Sequence, residues 1–207
     1  LYECGKITYH RTDSTNLSKD ILAQIKRYAV ANYGENYVKL RNYKTKVKNS
    51  QEAHEAIRPT HIDQDSLIDG SFEPNDKKLY QLIWKRTMAS QLAEATFATI
   101  TVRIGNDRRD EIFIAYGENC TFDGFLRVYH YEEDDNREED QDKIPDTPYE
   151  ILSKLEPGKV CKWNDIYAEE KVKQGPGHFS ESQLIKKMQD TGIGRPSTYS
   201  SMMNKLI

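Results

Sequence analysis

Apolar positions along this chain recur first with a helical period, then with a period of two, then with a helical period again. Behind Ser18 as a candidate cap, Ile21, Leu22, Ile25, Ala29 and Tyr33 follow the 3.6-residue repeat, and Gly34 stands where the chain should leave the helix. A short strand, ITYHR, precedes this helix. Asn49 or Ser50 opens a second helical stretch, QEAHEAIR, which Pro59 must end because the residue before a proline disfavours helical geometry. A third helix runs from about Asp76 through KKLYQLIWKRTMASQLAEA, with Leu79, Leu82, Ile83 and Met88 on its inner side. From Phe97 the period becomes two: Ile100, Val102 and Ile104 alternate with Thr99, Thr101 and Arg103, and Gly105-Asn106-Asp107 supplies a turn before EIFIAYG. FDGFLRVYHY and GKVCKWNDIYAEEKVK carry the β-rich character as far as Lys173, where Gly175-Pro176-Gly177 breaks it. Ser180 and Gln183 form a capping box for ESQLIKKMQD, Gly192 closes that helix, and GRPSTYSSMMNKLI starts another. Trp84 and Trp163 lie in patterned segments and read as packing residues. The expected class is α+β.

Composition narrows the class of molecule more than its chemistry. At 207 residues the chain is long enough to bury a core, as one large domain or two modest ones. No apolar run approaches the roughly 18 residues that a membrane span needs. Cys4, Cys120 and Cys161 are odd in number, far apart and without a CxxC pair, which suggests neither a disulfide framework nor a zinc site and fits a reducing, cytoplasmic setting. The net charge of -3 argues by itself against a nucleic-acid partner. That balance conceals a block, EEDDNREEDQD at 132–142, which carries a net -7 and leaves +4 for the rest. Such a run reads as a solvated loop. The start at Leu1 and the stop at MMNKLI, with helical pattern still running, read as cuts in a longer protein.

Three stretches carry candidate chemistry. If ITYHR is extended, Ile7, Tyr9 and Arg11 share one face, and Thr8, His10 and Thr12 the other. A tyrosine hydroxyl ordinarily titrates at about 10, so it is a poor nucleophile unless a cation or base favours the phenolate. Arg11 could provide that cation and also hold a phosphate bidentately, with Asp13 orienting the guanidinium. The plainer alternative is a core tyrosine beside a surface arginine. In AHEAIRPT, the second histidine of a zinc-protease helix is replaced by Arg58, which leaves His54 and Arg58 one turn apart, suited to a phosphate diester or merely exposed. TGIGRPSTY lacks the ending of a P-loop. A helix opening near Pro196 would nevertheless offer an anion its amides, the Ser197 and Thr198 hydroxyls and Arg195; a plain turn between helices is the alternative.

Taken together, the blocks LYECGKITYHRTDSTNLS, NSQEAHEAIRPT, KKLYQLIWKRTMASQLAEATF and HFSESQLIKKMQDTGIGRPSTYSS resemble the type IA DNA topoisomerases, and bacterial topoisomerase I more closely than topoisomerase III. They stand in the family's order and at similar spacing, across nearly the whole chain except the acidic loop. The resemblance implies that Tyr9 attacks a backbone phosphate of single-stranded DNA, forming a 5′-phosphotyrosine link, and that Arg11 positions that phosphate. It also implies that His54 contacts DNA near the break and that Arg195, Ser197 and Thr198 bind the strand upstream, with Asp13 and Arg58 in support. His10 departs from the Met or Pro common at its position; by alternation it should point away from the phosphate, and His10→Met would test any pH dependence it brings.

The implied architecture is toroidal, with a tyrosine domain at 1–95, a β-rich arch segment at 96–173 and a helical piece of the DNA-binding domain at 174–207. The parent reaction would be ATP-independent relaxation of negatively supercoiled DNA by cleavage, strand passage and religation. The Mg2+ it requires would be held in an N-terminal domain of the parent chain, since no paired-acid motif here replaces that site, and this chain alone should not relax DNA. A rival reading is a non-catalytic helix-turn-helix module built from FSESQLIKKMQDTGIGRPSTYSSMMNKLI.

Overall fold

The computed structural model describes residues 1–43, 55–68, 70–129, 147–170, 172, 175 and 177–206. It is an α+β chain of two compact units. One comprises Leu1–Glu94, Gly124–Tyr131 and Phe179–Ile207, and the other Ala95–Asp123 and Glu132–His178.

The first unit is built on two helices. Helix α1, Lys19–Tyr33, begins where the Ser18 hydroxyl accepts the Ile21 N–H, and ends at Gly34, whose φ of 99° suits a residue without a Cβ. Its Ile21, Leu22, Ile25 and Ala29 are buried. Helix α2, Pro74–Ala89, starts earlier than its apolar pattern predicts, because Glu73 and Asp76 form a reciprocal capping box and Pro74 occupies the first turn. Its inner side differs in part from the expected one: Met88 is buried as expected and Ile83 is half-buried, but Leu79 and Leu82 are about half exposed, and Tyr80, Trp84 and Thr87 are buried in their place. The loop beneath selects that face. Ile62 C=O accepts the Trp84 indole N–H at 2.8 Å, and Gln64 C=O accepts the Tyr80 hydroxyl at 2.8 Å, so the large amphipathic rings bury with their polar tips satisfied.

Two apolar clusters result. Ile21, Ile25, Ala29, Ile62, Trp84, Met88 and Leu92 form the larger one. Ile7, Leu67 and Tyr80 form the smaller, which fixes the segment just before Tyr9.

The second unit contains a long hairpin, β1 (Thr96–Asn106) and β2 (Arg109–Phe122), paired antiparallel with Ile100 opposite Gly117 and Val102 opposite Ala115. A short helix, α3 (Tyr149–Leu152), covers its base: a Cβ on Gly117 would fall 2.5 Å from Thr147 C=O, so only glycine permits that approach. The β-rich expectation holds for the hairpin alone. FDGFLR contains a 3-10 turn, Gly124–Arg127, and no strand follows among the described residues up to 178. Trp163, expected to pack, is 75% exposed. Lys162 to Tyr167 form no ladder that would give the ring a face to lie on.

Gly124 is where the chain re-enters the first unit. Its φ is +49°, and a Cβ there would lie 2.5 Å from both Ala93 C=O and Glu94 C=O, while Phe125 N–H donates to Ala93 C=O at 2.8 Å. Gly124→Ala is therefore expected to destabilise the protein by about 2–4 kcal/mol through a backbone clash and an unfavourable φ. Urea unfolding of the variant against the parent sequence checks this.

Helices α4 (Glu181–Asp190) and α5 (Tyr199–Leu206) follow. The Ser180–Gln183 capping box is present, and α4 closes in a Schellman motif, with Ile193 N–H on Met188 C=O, Gly192 N–H on Gln189 C=O, and Gly192 at φ 74°.

Candidate active site

Two of the sequence blocks are laced together fifty residues apart. Ile7 and Pro59 form a single antiparallel bridge, Thr8 N–H donates to Arg58 C=O at 2.9 Å and Thr60 N–H to Lys6 C=O at 3.0 Å. The Thr8 hydroxyl accepts Arg58 N–H at 2.9 Å and donates to Ala56 C=O at 2.7 Å. The backbone is thereby pinned up to the residue before Tyr9, whose ring is 42% exposed.

Beyond Ile7 the expected strand does not continue. One bridge imposes no alternation, and the His10 ring lies beside that of Tyr9, with centroids 5.5 Å apart, rather than on the opposite face. Arg11 is exposed, and among the described residues neither Arg11 nor Asp13 makes an ion pair, so Asp13 does not hold Arg11 here. The TDST segment turns on its own side chains: Ser14 N–H donates to Thr12 Oγ1 and Asn16 N–H to Ser14 Oγ.

The second block is also rearranged relative to its helical expectation. His54 and the stretch before it lie outside the described residues. Residues 55–58 are not helical, because their backbone groups are given away: Ala56 N–H goes to Asn16 C=O, and the Arg58 amide and carbonyl to Thr8. Arg58 is largely buried. Its Nη2 lies 2.8 Å from Glu55 Oε2 and its Nη1 donates to Pro59 C=O, so the guanidinium braces its own block from within rather than facing solvent, while the Arg58 backbone makes the link to Thr8. Glu55 also accepts the Ser18 N–H at the head of α1. Sequence reading passed over Glu55, although its place three residues before Arg58 in a proline-terminated block was the available signal.

Burial raises the Glu55 carboxyl pKa, but the bonds from Arg58 and Ser18 outweigh it and hold the group below its ordinary value. A depressed carboxylate contributes stability above its unfolded pKa of about 4.3 and loses it as pH falls through the folded value. Glu55→Gln is expected to cost about 1–3 kcal/mol at pH 7, with the difference from the parent shrinking towards pH 3, as read by urea midpoints across that range.

A cavity of about 740 Å3 opens beside the TDST turn, lined in part by Thr12, Asp13, Thr15, Arg41, Arg86 and Tyr129. Its cations have partners: Arg41 pairs with Glu94 at 2.7 Å, and Arg86 sits 5.1 Å from the centroid of the Tyr129 ring. Bonds from Lys39 and Arg41 pull the Glu94 carboxyl down to about 2.

The third block forms a tight turn ahead of α5, which starts at Tyr199 rather than near Pro196. Thr198 N–H and Tyr199 N–H both donate to Arg195 C=O, and the Thr198 hydroxyl accepts Arg195 N–H at 2.8 Å. Those amides are spent on the turn. The Arg195 side chain and Ser197 are exposed, and among the described residues no hydrogen bond joins this turn to the Tyr9 segment.

Among the described residues no three His, Cys, Asp or Glu side chains converge as a cation site, so the described residues do not fit the divalent metal the resemblance implies. Nor does any described helix have the length and apolarity to cross a membrane.

An α+β scaffold presenting an exposed tyrosine from a pinned TY–RPT junction defines one class of protein. A family model described as DNA topoisomerase matches residues 1–207, and the chain belongs to that family, the type IA DNA topoisomerases, on the topoisomerase I side. It is 40% identical over 206 residues to DNA topoisomerase 1 of Rickettsia felis, covering 98% of this chain and 25% of that protein. To DNA topoisomerase 1 of Streptomyces coelicolor it is 38% identical over 212 residues, covering 100% and 22%. Among solved structures, full-length topoisomerase I from Thermotoga maritima matches with a TM-score of 0.64 and 28% identity, over 98% of this chain and 30% of that one. The chain thus spans about a quarter of the length of the curated relatives it matches. Membership along the whole chain does not favour α4 and α5 as a separate helix-turn-helix module.

Proposed function

We propose that the intact protein to which this chain belongs is an ATP-independent DNA topoisomerase that relaxes negatively supercoiled DNA, with Tyr9 as its nucleophile. The Tyr9 phenolic oxygen attacks a backbone phosphorus of single-stranded DNA, the bond from phosphorus to the 3′-oxygen breaks, and a 5′-phosphotyrosine link and a free 3′-hydroxyl result. The phenol proton passes to the departing 3′-oxygen. Attack by that hydroxyl after strand passage reverses the step and restores the phenol. One phosphodiester is exchanged for another of similar energy, so no nucleotide need be hydrolysed.

The observation that carries this reading is the exposed Tyr9 ring next to a backbone fixed by Arg58 and Thr60, with Arg11, two residues on, in no ion pair among the described residues. Arg11 holds the scissile phosphate, and its charge is available because Asp13 does not take it. Arg195 and Ser197 contact the strand upstream, where the Arg195 side chain is exposed. Thr198 contributes by shaping that turn. His54 contacts DNA near the break. Arg58 and Glu55 serve by keeping the junction closed, and Asp13 lines the neighbouring cavity. Mg2+ would be held by acidic residues elsewhere in the parent chain, and the chemistry it would supply there is charge neutralisation. The protein works in the cytoplasm on DNA, with the other domains of its own chain as partners.

The test uses the full-length protein with a labelled single-stranded oligonucleotide, quenched in denaturant. A covalent adduct that forms on single strands and barely on duplex is expected. Sequence-dependent duplex binding with no adduct would instead favour the helix-turn-helix alternative.

A further inference from the structure

We propose that Tyr2 and His10 are positioning residues for Tyr9, their rings bracketing the phenol so that its oxygen meets phosphorus in line; this rests on Tyr9 being the nucleophile. The three rings close a triangle. Tyr2 and Tyr9 are edge to face at 5.3 Å and 70°, Tyr9 and His10 are 5.5 Å apart at 56°, and Tyr2 and His10 are 5.4 Å apart at 54°. Edge-to-face pairs are favoured geometries, since the electropositive rim of one ring meets the electronegative face of the other.

The triangle is not part of a core. Tyr2 is 43% exposed and Tyr9 42%, so these contacts do not arise from burying apolar surface. A tight turn brings Tyr2 into place: Gly5 N–H donates to Tyr2 C=O and Lys6 N–H to Leu1 C=O, both at 2.9 Å, with Gly5 at φ 66°. Leu1 packs on the Ile7 cluster, which anchors the start of that turn. Meanwhile the Tyr9 hydroxyl has no hydrogen-bond partner among the described residues, and the backbone pinning stops at Thr8. The orientation of the phenol is therefore set by its two ring neighbours. Displacing a reacting atom by about 1 Å can cost on the order of 100-fold in rate.

The experiment measures single-turnover cleavage of a single-stranded oligonucleotide by the full-length protein, alongside oligonucleotide affinity and thermal midpoint. Tyr2→Leu and His10→Ala are each expected to slow cleavage about tenfold or more, with affinity and midpoint close to the parent values. Tyr2→Phe and His10→Phe, which keep a ring, are expected to recover most of the rate. Cleavage by Tyr2→Leu at the parent rate would overturn the bracket while Tyr9-dependent adduct formation still stood. A loss of affinity with no loss of rate would overturn it in favour of a base-stacking surface. If the unmutated protein forms no adduct, or Tyr9→Phe still forms one, the nucleophile reading itself fails and takes the bracket with it.

Discussion

Tyr9→Phe in the full-length protein is expected to abolish both the denaturant-resistant adduct and plasmid relaxation, down to the level of a control without enzyme. The substitution removes one oxygen and nothing else that the fold uses. That oxygen has no hydrogen-bond partner among the described residues, and the phenyl ring keeps the edge-to-face approach to Tyr2 at 5.3 Å. The thermal midpoint should thus stay within about 2 °C, as for a surface substitution that creates no cavity. Single-strand affinity should also persist, since on the proposed reading Arg11 and the Arg195 turn, rather than the phenol, hold the strand. Loss of chemistry with retained binding separates a nucleophile from a binding residue. An adduct of undiminished yield in Tyr9→Phe would show that another residue carries the DNA.

Trp84→Ala should be the most damaging single change to the fold, at about 3–5 kcal/mol. The indole is 4% exposed at the centre of the larger cluster, and its N–H satisfies Ile62 C=O at 2.8 Å. Truncation leaves a cavity among Ile25, Met88 and Leu92 and an unpaired carbonyl beneath it. Trp84→Phe fills part of the space but still forfeits the bond, so an intermediate cost is expected. Urea unfolding followed by circular dichroism reads both. The unmutated protein also carries its own optical check, because Trp163 is already 75% exposed and the change in tryptophan emission on unfolding should come from Trp84.

The parts of the fold legible in the sequence are those decided within a few residues. Ser18 caps α1 and Gly34 ends it, Ser180 and Gln183 cap α4, and Gly192 closes it, because each event needs only a hydroxyl, an amide and a permissive φ close by in the chain. Family membership was legible for a different reason: four blocks in order are a specific signature even when no block explains itself. What could not be read depended on distant partners. The inner face of α2 turned on carbonyls of Ile62 and Gln64, and the geometry around Tyr9 on Thr8 meeting Arg58 across fifty residues. Periodicity placed Tyr9 and His10 on opposite faces of a strand, yet a strand without a ladder has no faces to enforce. Trp163 shows the converse, an apolar pattern with nothing described to pack against. Tyr2 stood in the LYECGKITYH block without a role, because its ring contacts, on which the proposed one rests, are not visible in sequence.

The junction at Gly124 has a consequence for how this chain tolerates change over time. The hairpin leaves after Glu94, and its far end is tied back by Phe125 N–H on Ala93 C=O, so both feet are fastened to one short stretch of backbone. Residues can then be gained or lost at the Asp107–Arg108 tip, between the paired Asn106 and Arg109, without shifting either foot. Length differences between family members should gather at such tips, while the fastening point, where even one methyl group is too many, stays glycine.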